Sequence, residues 1–93
     1  MKRYKIYYAE FEKYPEEEEF QSMGVGELQG RYDNIEGAQN MLRRKVINLQ
    51  KRPQLNTCEI LDETKKEIRI KTVQNQTGKT TIYHYVIVEF SLY

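Results

Sequence analysis

The chain has 93 residues, of which 39% are hydrophobic and 31% charged, and its formal net charge is +1. This length leaves room for one compact domain, residues 1–93, and excludes a catalytic domain joined to a separate cofactor-binding half. The hydrophobic content is sufficient for a core. The near balance of basic and acidic residues removes overall charge as an argument for binding nucleic acid or membranes.

The cysteine content and the N-terminus indicate where the protein works. Cys58 is the single cysteine and cannot close an intrachain disulfide, which favours a reducing, cytoplasmic location. Charged residues interrupt positions 1–13 before an apolar region of signal-peptide length can form. The longest apolar run, residues 82–90, is broken by His84 and Glu89 and is shorter than the roughly 20 residues of a membrane helix. We therefore expect no membrane partner.

The first third of the chain predicts two strands around a loop. Aromatic and β-branched residues alternate between two faces over residues 4–11, which indicates a strand. Residues 12–26 contain Pro15, four consecutive glutamates and two glycines, a composition typical of a loop. Residues 25–32 have weaker strand character because glycines interrupt their apolar positions.

A helix is predicted to follow directly. Asp33 is the candidate N-cap, and Glu36 stands at the position that completes a capping box. Pro53 prevents a long continuation. The apolar stripe of this helix is formed by Ile35, Ala38, Leu42, Val46 and Leu49.

Three further strands are predicted, at residues 57–61, 67–73 and 80–93, with turns at 62–66 and 75–79. The last strand is apolar on both sides, which indicates a central strand or a face that another chain covers. One side carries Ile82, His84, Val86, Val88, Phe90 and Leu92; the other carries Tyr83, Tyr85, Ile87, Glu89, Ser91 and Tyr93.

These elements give the order ββαβββ and predict a two-layer α+β domain, with one helix packed on a mostly antiparallel five-stranded sheet. A single helix covers one face of such a sheet and leaves the other without a second layer. Tyrosine offers a large contact area with a polar tip, so we expect the uncovered face to bind another protein or a second copy of the chain. The partner-binding residues expected there are Tyr7, Tyr83, Tyr85, Ile87 and Tyr93.

Two segments of opposite charge lie within the neutral chain. Residues 10–19 contain six glutamates and one lysine, and residues 43–52 contain five basic residues and no acid. Helical spacing leaves one apolar residue exposed among the cations. Contact of the five basic residues with phosphates would give log affinity a slope of about −4.5 against log salt concentration. The alternative is charge that solubilises the helix and matches its dipole. The candidate phosphate or acidic-partner contacts are Arg43, Arg44, Ile47, Lys51 and Arg52.

Catalytic and metal-binding patterns are not found in the sequence. Cys58 and His84 lie on separate predicted strands, and no glycine turn suited to an oxyanion hole adjoins either. They are too few to ligate zinc on their own. Residues 78–80 resemble the end of a P-loop, but the required upstream glycine is replaced by Val73. We expect a non-enzymatic protein with no cofactor and no bound metal.

The leading hypothesis is a small protein-binding module that acts through its uncovered sheet face, with a homodimer as one form. Nucleic-acid binding through the second half of the helix is an alternative. The chain is also similar in general style to the accessory proteins of phages and other mobile elements, because it is short and rich in Tyr, Glu and Lys. That resemblance implies binding and inhibition of a host defence protein as a further alternative.

Overall fold

The computed structural model describes residues 2–91. Its elements are β1 (Lys2–Lys13), β2 (Gln21–Glu27), α1 (Ile35–Gln50), β3 (Leu55–Glu63), β4 (Glu67–Gln74) and β5 (Thr80–Ser91). The five strands form one sheet in the order β2-β1-β5-β4-β3, and all neighbouring strands are antiparallel. The predicted α+β class and the order ββαβββ are confirmed.

Strand β5 lies at the centre of the sheet, as its two apolar sides predict. It pairs with β1 along its whole length, from Lys2 opposite Ser91 to Lys13 opposite Thr80. On its other edge it pairs with β4. Over residues 80–86 both edges of the strand are therefore hydrogen-bonded, and only its two faces remain for packing. Leu92 and Tyr93 lie outside the described residues.

Helix α1 begins one residue later than predicted. The side chain of Asn34, and not that of Asp33, accepts a hydrogen bond from the Gly37 N–H at 2.8 Å and caps the helix. The Asp33 carboxylate forms an ion pair with Arg3 instead. The predicted stripe is confirmed, since four of its five members are buried and Ile35 is partly buried.

No helix within residues 2–91 is long and apolar enough to cross a membrane.

The boundaries of β2 differ from the prediction. The strand starts at Gln21, inside the predicted loop, because residues 21–27 pair with the second half of β1. Beyond Glu27 the chain continues beside β1, where the Leu28 N–H donates to the Ile6 carbonyl at 2.9 Å. The ladder is interrupted around Gly30, whose φ of 118° is open to glycine, and a single bridge between Tyr32 and Tyr4 follows.

The core lies between α1 and one face of the sheet, which we call the helix face. It contains Ile6, Ile68, Ile70, Tyr85 and Ile87 of the strands, and Ala38, Leu42, Val46 and Leu49 of the helix. Thr72 and Thr81, directly opposite each other on β4 and β5, extend this buried layer. At the β2 edge the ring of Tyr8 lies over Gly26, where a β-carbon would come within 2.7 Å of the Tyr8 hydroxyl. An aromatic ring over an edge glycine covers backbone that the glycine leaves exposed.

Replacing Leu42 by alanine removes a buried side chain from the centre of the helix stripe. We expect Leu42→Ala to lower the free energy of unfolding by about 2–5 kcal/mol, because the cavity adds to the lost burial. Urea unfolding followed by circular dichroism measures this change. The exposed Gln50→Ala substitution on the same helix is the control and should change stability by less than about 0.5 kcal/mol. Equal effects of the two substitutions would contradict the position of the stripe.

Candidate protein-binding surface

The register of the strands determines which side chains point away from α1. Residues directly opposite on antiparallel strands share a face, so the pairs Tyr7–Val86 and Ala9–His84 lie on the side opposite Ile6 and Ile87. We call this side the open face. Its apolar residues come from four strands and are Tyr7, Ala9, Phe11, Val25, Val73, Ile82, Val86, Val88 and Phe90.

The open face is apolar and accessible from the edge strand β2 to the central strand β5. Val25 is 79% exposed, Tyr7 40% and Val88 39%. A shallow hollow of about 420 Å³ lies between β2, β1 and β5 and is lined mainly by apolar atoms of Tyr7, Val25 and Val86. Glu27 and His84 place polar groups at its margin. No helix or strand within residues 2–91 packs on this side of the sheet.

The partner-binding prediction placed the wrong side of β5 on the open face. Tyr85 is only 7% exposed and Ile87 2%, and both belong to the core under α1. Tyr83 packs against that core and is half-buried. Of the predicted residues, Tyr7 alone lies on the open face, and Tyr93 is outside the described residues. Strand alternation had separated the two sides of β5 correctly, but the larger aromatic side chains fill the space beneath the helix.

Three tyrosines form a cluster on the helix face beside the C-terminal end of α1. The rings of Tyr83 and Tyr85 are nearly parallel, at 7°, with centroids 6.4 Å apart, and Tyr8 is tilted against Tyr85 at the same distance. Burial, reinforced by the charges of Tyr83 and Glu10, raises the pKa of Tyr85 to about 12. Burial also raises the pKa of Tyr83, while the guanidinium of Arg52 beside it acts in the opposite direction.

Several charged residues of the open face are paired with one another across the strands. Lys5 lies 3.4 Å from Glu27, and the Arg69 Nε donates to the Asp62 carboxylate at 2.8 Å. Lys5 also stands 5.0 Å from the ring centroid of Phe90, within the range of a cation–π contact. These exposed contacts contribute little to stability. They do reduce the local charge that an approaching surface meets.

His84 belongs to the same network. Its Nε2 lies 3.0 Å from a carboxylate oxygen of Glu67, and both side chains are partly exposed. Arg69 is directly opposite His84 on β4, and Ala9 is opposite it on β1. His84 is therefore a polar residue within the apolar central strand, held by a cross-strand partner.

The predicted contact residues Arg43, Arg44, Ile47, Lys51 and Arg52 are all exposed. Ile47 is 46% exposed and, with Arg43, borders a groove of about 500 Å³ between the helix and the β3–β4 hairpin. Arg44 and Lys51 lie on the exposed side of the helix and its C-cap. Arg52 follows the helix end and is near the Tyr83 hydroxyl. Ile47 thus lines one side of this groove, and Ile60 lines it from β3.

The two residues considered for nucleophilic catalysis are on opposite faces of the sheet. Cys58 is opposite Thr72, whose neighbour on β5 is Thr81, which places it on the helix face. His84 lies on the open face. Burial raises the pKa of the Cys58 thiol, which disfavours the reactive thiolate. Among residues 2–91 no group of three or more His, Cys, Asp or Glu side chains is arranged to hold a metal ion.

The structure defines a two-layer α+β domain with one covered and one open sheet face. Comparison of the chain with protein-family models, curated proteins and solved structures finds no match.

The open-face residues on β5 were recognised from the sequence as one side of the strand, but they were not assigned to an interface. Val25 is an apolar residue between two glycines in the sequence, which could have drawn attention to it as an exposed residue. In the sheet it lies opposite Ala9 and points to the open face. The side of β5 that faces solvent could have been identified only from its register with β4. There the charged residues Glu67 and Arg69 share a side with Val86 and His84.

Replacing Tyr85 distinguishes a core role from an interface role. We expect Tyr85→Ala to lower the free energy of unfolding by about 3–5 kcal/mol, as for other buried aromatic residues. Tyr7→Ala on the open face should cost no more than about 1 kcal/mol at a protein concentration low enough to keep the chain monomeric, since part of its ring already meets solvent. Chemical denaturation of both variants measures the difference. Similar losses of stability in the two would contradict the assignment of the faces.

The raised pKa of Tyr85 makes stability depend on pH in alkaline solution. Below about pH 10, the usual pKa of tyrosine, the hydroxyl is protonated in both the folded and unfolded states, so its contribution is complete. Between about pH 10 and 12 the unfolded chain releases the proton while folded Tyr85 retains it, so stability falls as pH rises. The slope contributed by this residue is at most about 1.4 kcal/mol per pH unit.

Unfolding in urea at several pH values between 9 and 12 (roughly the window set by those two pKa values) measures this dependence. The Tyr85→Phe variant keeps the ring and removes the hydroxyl, so its stability should decline less steeply than that of the wild type. Parallel curves for the two proteins would contradict the prediction.

Proposed function

We propose that this protein is a non-enzymatic protein-binding module and that the open face is its contact surface. The observation that carries the proposal is the contrast between two adjacent strands on that face. β4 turns Glu67, Arg69 and Lys71 outward, whereas β5 turns Ile82, Val86 and Val88 to the same side. An antiparallel sheet with one face in water usually alternates apolar and polar residues. β4 follows this pattern and β5 does not.

The exposed apolar residues are also contiguous, which distinguishes them from scattered surface side chains. Val86 is opposite Tyr7, and Val88 is opposite Lys5. Lys5 forms an ion pair with Glu27 at the end of β2, and this pair borders the apolar residues. Val25 extends the same surface from β2. Contiguous apolar patches rimmed by polar residues are typical of protein–protein contact sites. Tyrosine near the centre of such a patch is a residue type enriched among energetically dominant contacts.

Two further features favour binding over catalysis. The hollow on the open face is shallow and lined mainly by apolar side chains, with His84 and Glu27 as its titratable groups. His84 is already engaged by Glu67 at 3.0 Å. Cys58 lies on the other face of the sheet, so a thiol–imidazole pair cannot form there. These features support a surface that binds and provide no nucleophile with a base beside it.

Site-specific photo-crosslinking tests this proposal. A photoreactive benzoylphenylalanine replaces Val88 on the open face or, as the control, Ile47 on the helix side; both native residues are apolar and about 40% exposed or more. After irradiation in a lysate of the source organism, we expect protein adducts, including adducts between copies, from position 88 and few from position 47. Adding Val86→Glu should abolish the adducts because it places a charge at the centre of the patch. Adducts from neither position, or from position 47 alone, would contradict the proposal.

A further inference from the structure

We propose that the partner of the open face is a second copy of this chain, and that two copies pack sheet against sheet as a symmetric dimer. The inference rests on the proposed function, since it names the protein that the open face binds. Three properties of the face support a second copy: its area, its charge and the position of its apolar centre.

The area of the face is that of a standard protein interface. The strands have 12, 7, 9, 8 and 12 residues. Each strand residue covers about 16 Å² at the usual rise and strand spacing. The whole face therefore measures about 750 Å² in plan, and each partner in a standard interface contributes about 800 Å². Two such faces in contact bury enough surface for a stable dimer without help from the loops or the helix.

The charge of the face suits a copy of itself. The two strongly charged segments, residues 10–19 and 43–52, belong mainly to the β1–β2 hairpin and to α1, and they do not dominate the open face. On the face itself acidic and basic residues are interspersed, and several are already paired. Stacking two copies therefore brings no cluster of like charge together, whereas a strongly charged partner would find little to recognise. The charged residues are Arg3, Lys5, Lys13, Arg69 and Lys71 with Glu27, Glu59, Asp62 and Glu67.

The apolar centre of the face coincides with the middle of its two longest strands. Tyr7 and Val86 are directly opposite each other, near the midpoints of β1 and β5. In a dimer with two-fold symmetry, residues near the axis meet their own copies. Tyr7 would then pack against Tyr7 of the second copy, and Val86 against Val86. The hollow beside Val25 gives the incoming side chains a place to insert.

The polar members of the face can remain satisfied in this arrangement. His84 keeps Glu67 as its partner at 3.0 Å, and Arg69 keeps Asp62. Burying these groups in the dimer does not leave an isolated charge, which would cost several kcal/mol. The pairs that hold the face together in one copy are therefore compatible with its burial against another.

Sedimentation velocity of the wild type and two matched variants tests the dimer. Val86→Glu and Ile47→Glu each replace a partly exposed apolar residue by a carboxylate, the first on the open face and the second on the helix side. At micromolar concentration we expect a dimer for the wild type and for Ile47→Glu, and a dissociation constant at least 100-fold weaker for Val86→Glu. A monomeric wild type at 100 times that concentration would overturn the inference. So would a dimer that Ile47→Glu disrupts and Val86→Glu does not.

A second measurement covers the case in which Val86→Glu does not fold. In a Cys58→Ser background, Tyr7→Cys places a thiol near the expected two-fold axis. Because sheets packed face to face lie about 10 Å apart, which is too far for a disulfide, a short bismaleimide reagent should link two copies through these thiols. Gln50→Cys on the helix is the matched control and should remain unlinked. No linkage through position 7 in a folded protein would overturn the dimer. If crosslinks from position 88 then join other proteins only, the proposed function stands and the second copy is excluded as its partner.

Discussion

The central strand β5 has two faces to cover, and the described chain provides one helix to cover them. Over residues 80–86 both edges of β5 are hydrogen-bonded, so the side chains there have only the space above and below the sheet. Tyr85 and Ile87 obtain their burial from α1. Val86 and Val88, one position away from them, have no comparable layer. The two-residue period of the strand makes this division unavoidable once one face is assigned to the helix.

The helix face explains why so many tyrosines coexist with a small core. Helix α1 is 16 residues long and ends near Tyr83, so the far end of the sheet receives less cover from it. A tyrosine fills such a boundary well because its ring is apolar and its hydroxyl can remain near charged groups. Here Glu10 and Arg52 are those groups. The same side chains that indicate an interface in the sequence thus close the edge of the core.

The sequence was sufficient for the fold class, the order of the elements and the position of β5, because alternation, helical periodicity and capping are local signals. It was less informative for β2, whose residues 21–24 pair with β1 despite weak strand propensity. The N-cap is Asn34 and not the predicted Asp33, because Asp33 forms an ion pair with Arg3, a residue distant in sequence. Alternation alone also could not decide which side of β5 faces α1, since that depends on register with β1 and β4. The candidate site therefore required the three-dimensional pairing, and of its expected residues only Tyr7 kept its place.

The residue types on the open face are suited to binding for an entropic reason as well. Association costs free energy when flexible side chains become ordered. Valine and isoleucine are stiff at χ1, and a strand within a sheet fixes their backbone. Ile82 and Val86 stand where β5 has a neighbouring strand on each edge, and Val88 pairs with Lys5 on β1. Burying them against another surface therefore removes apolar area from water while ordering few new torsions. Long charged residues at the same positions would lose more side-chain freedom on burial.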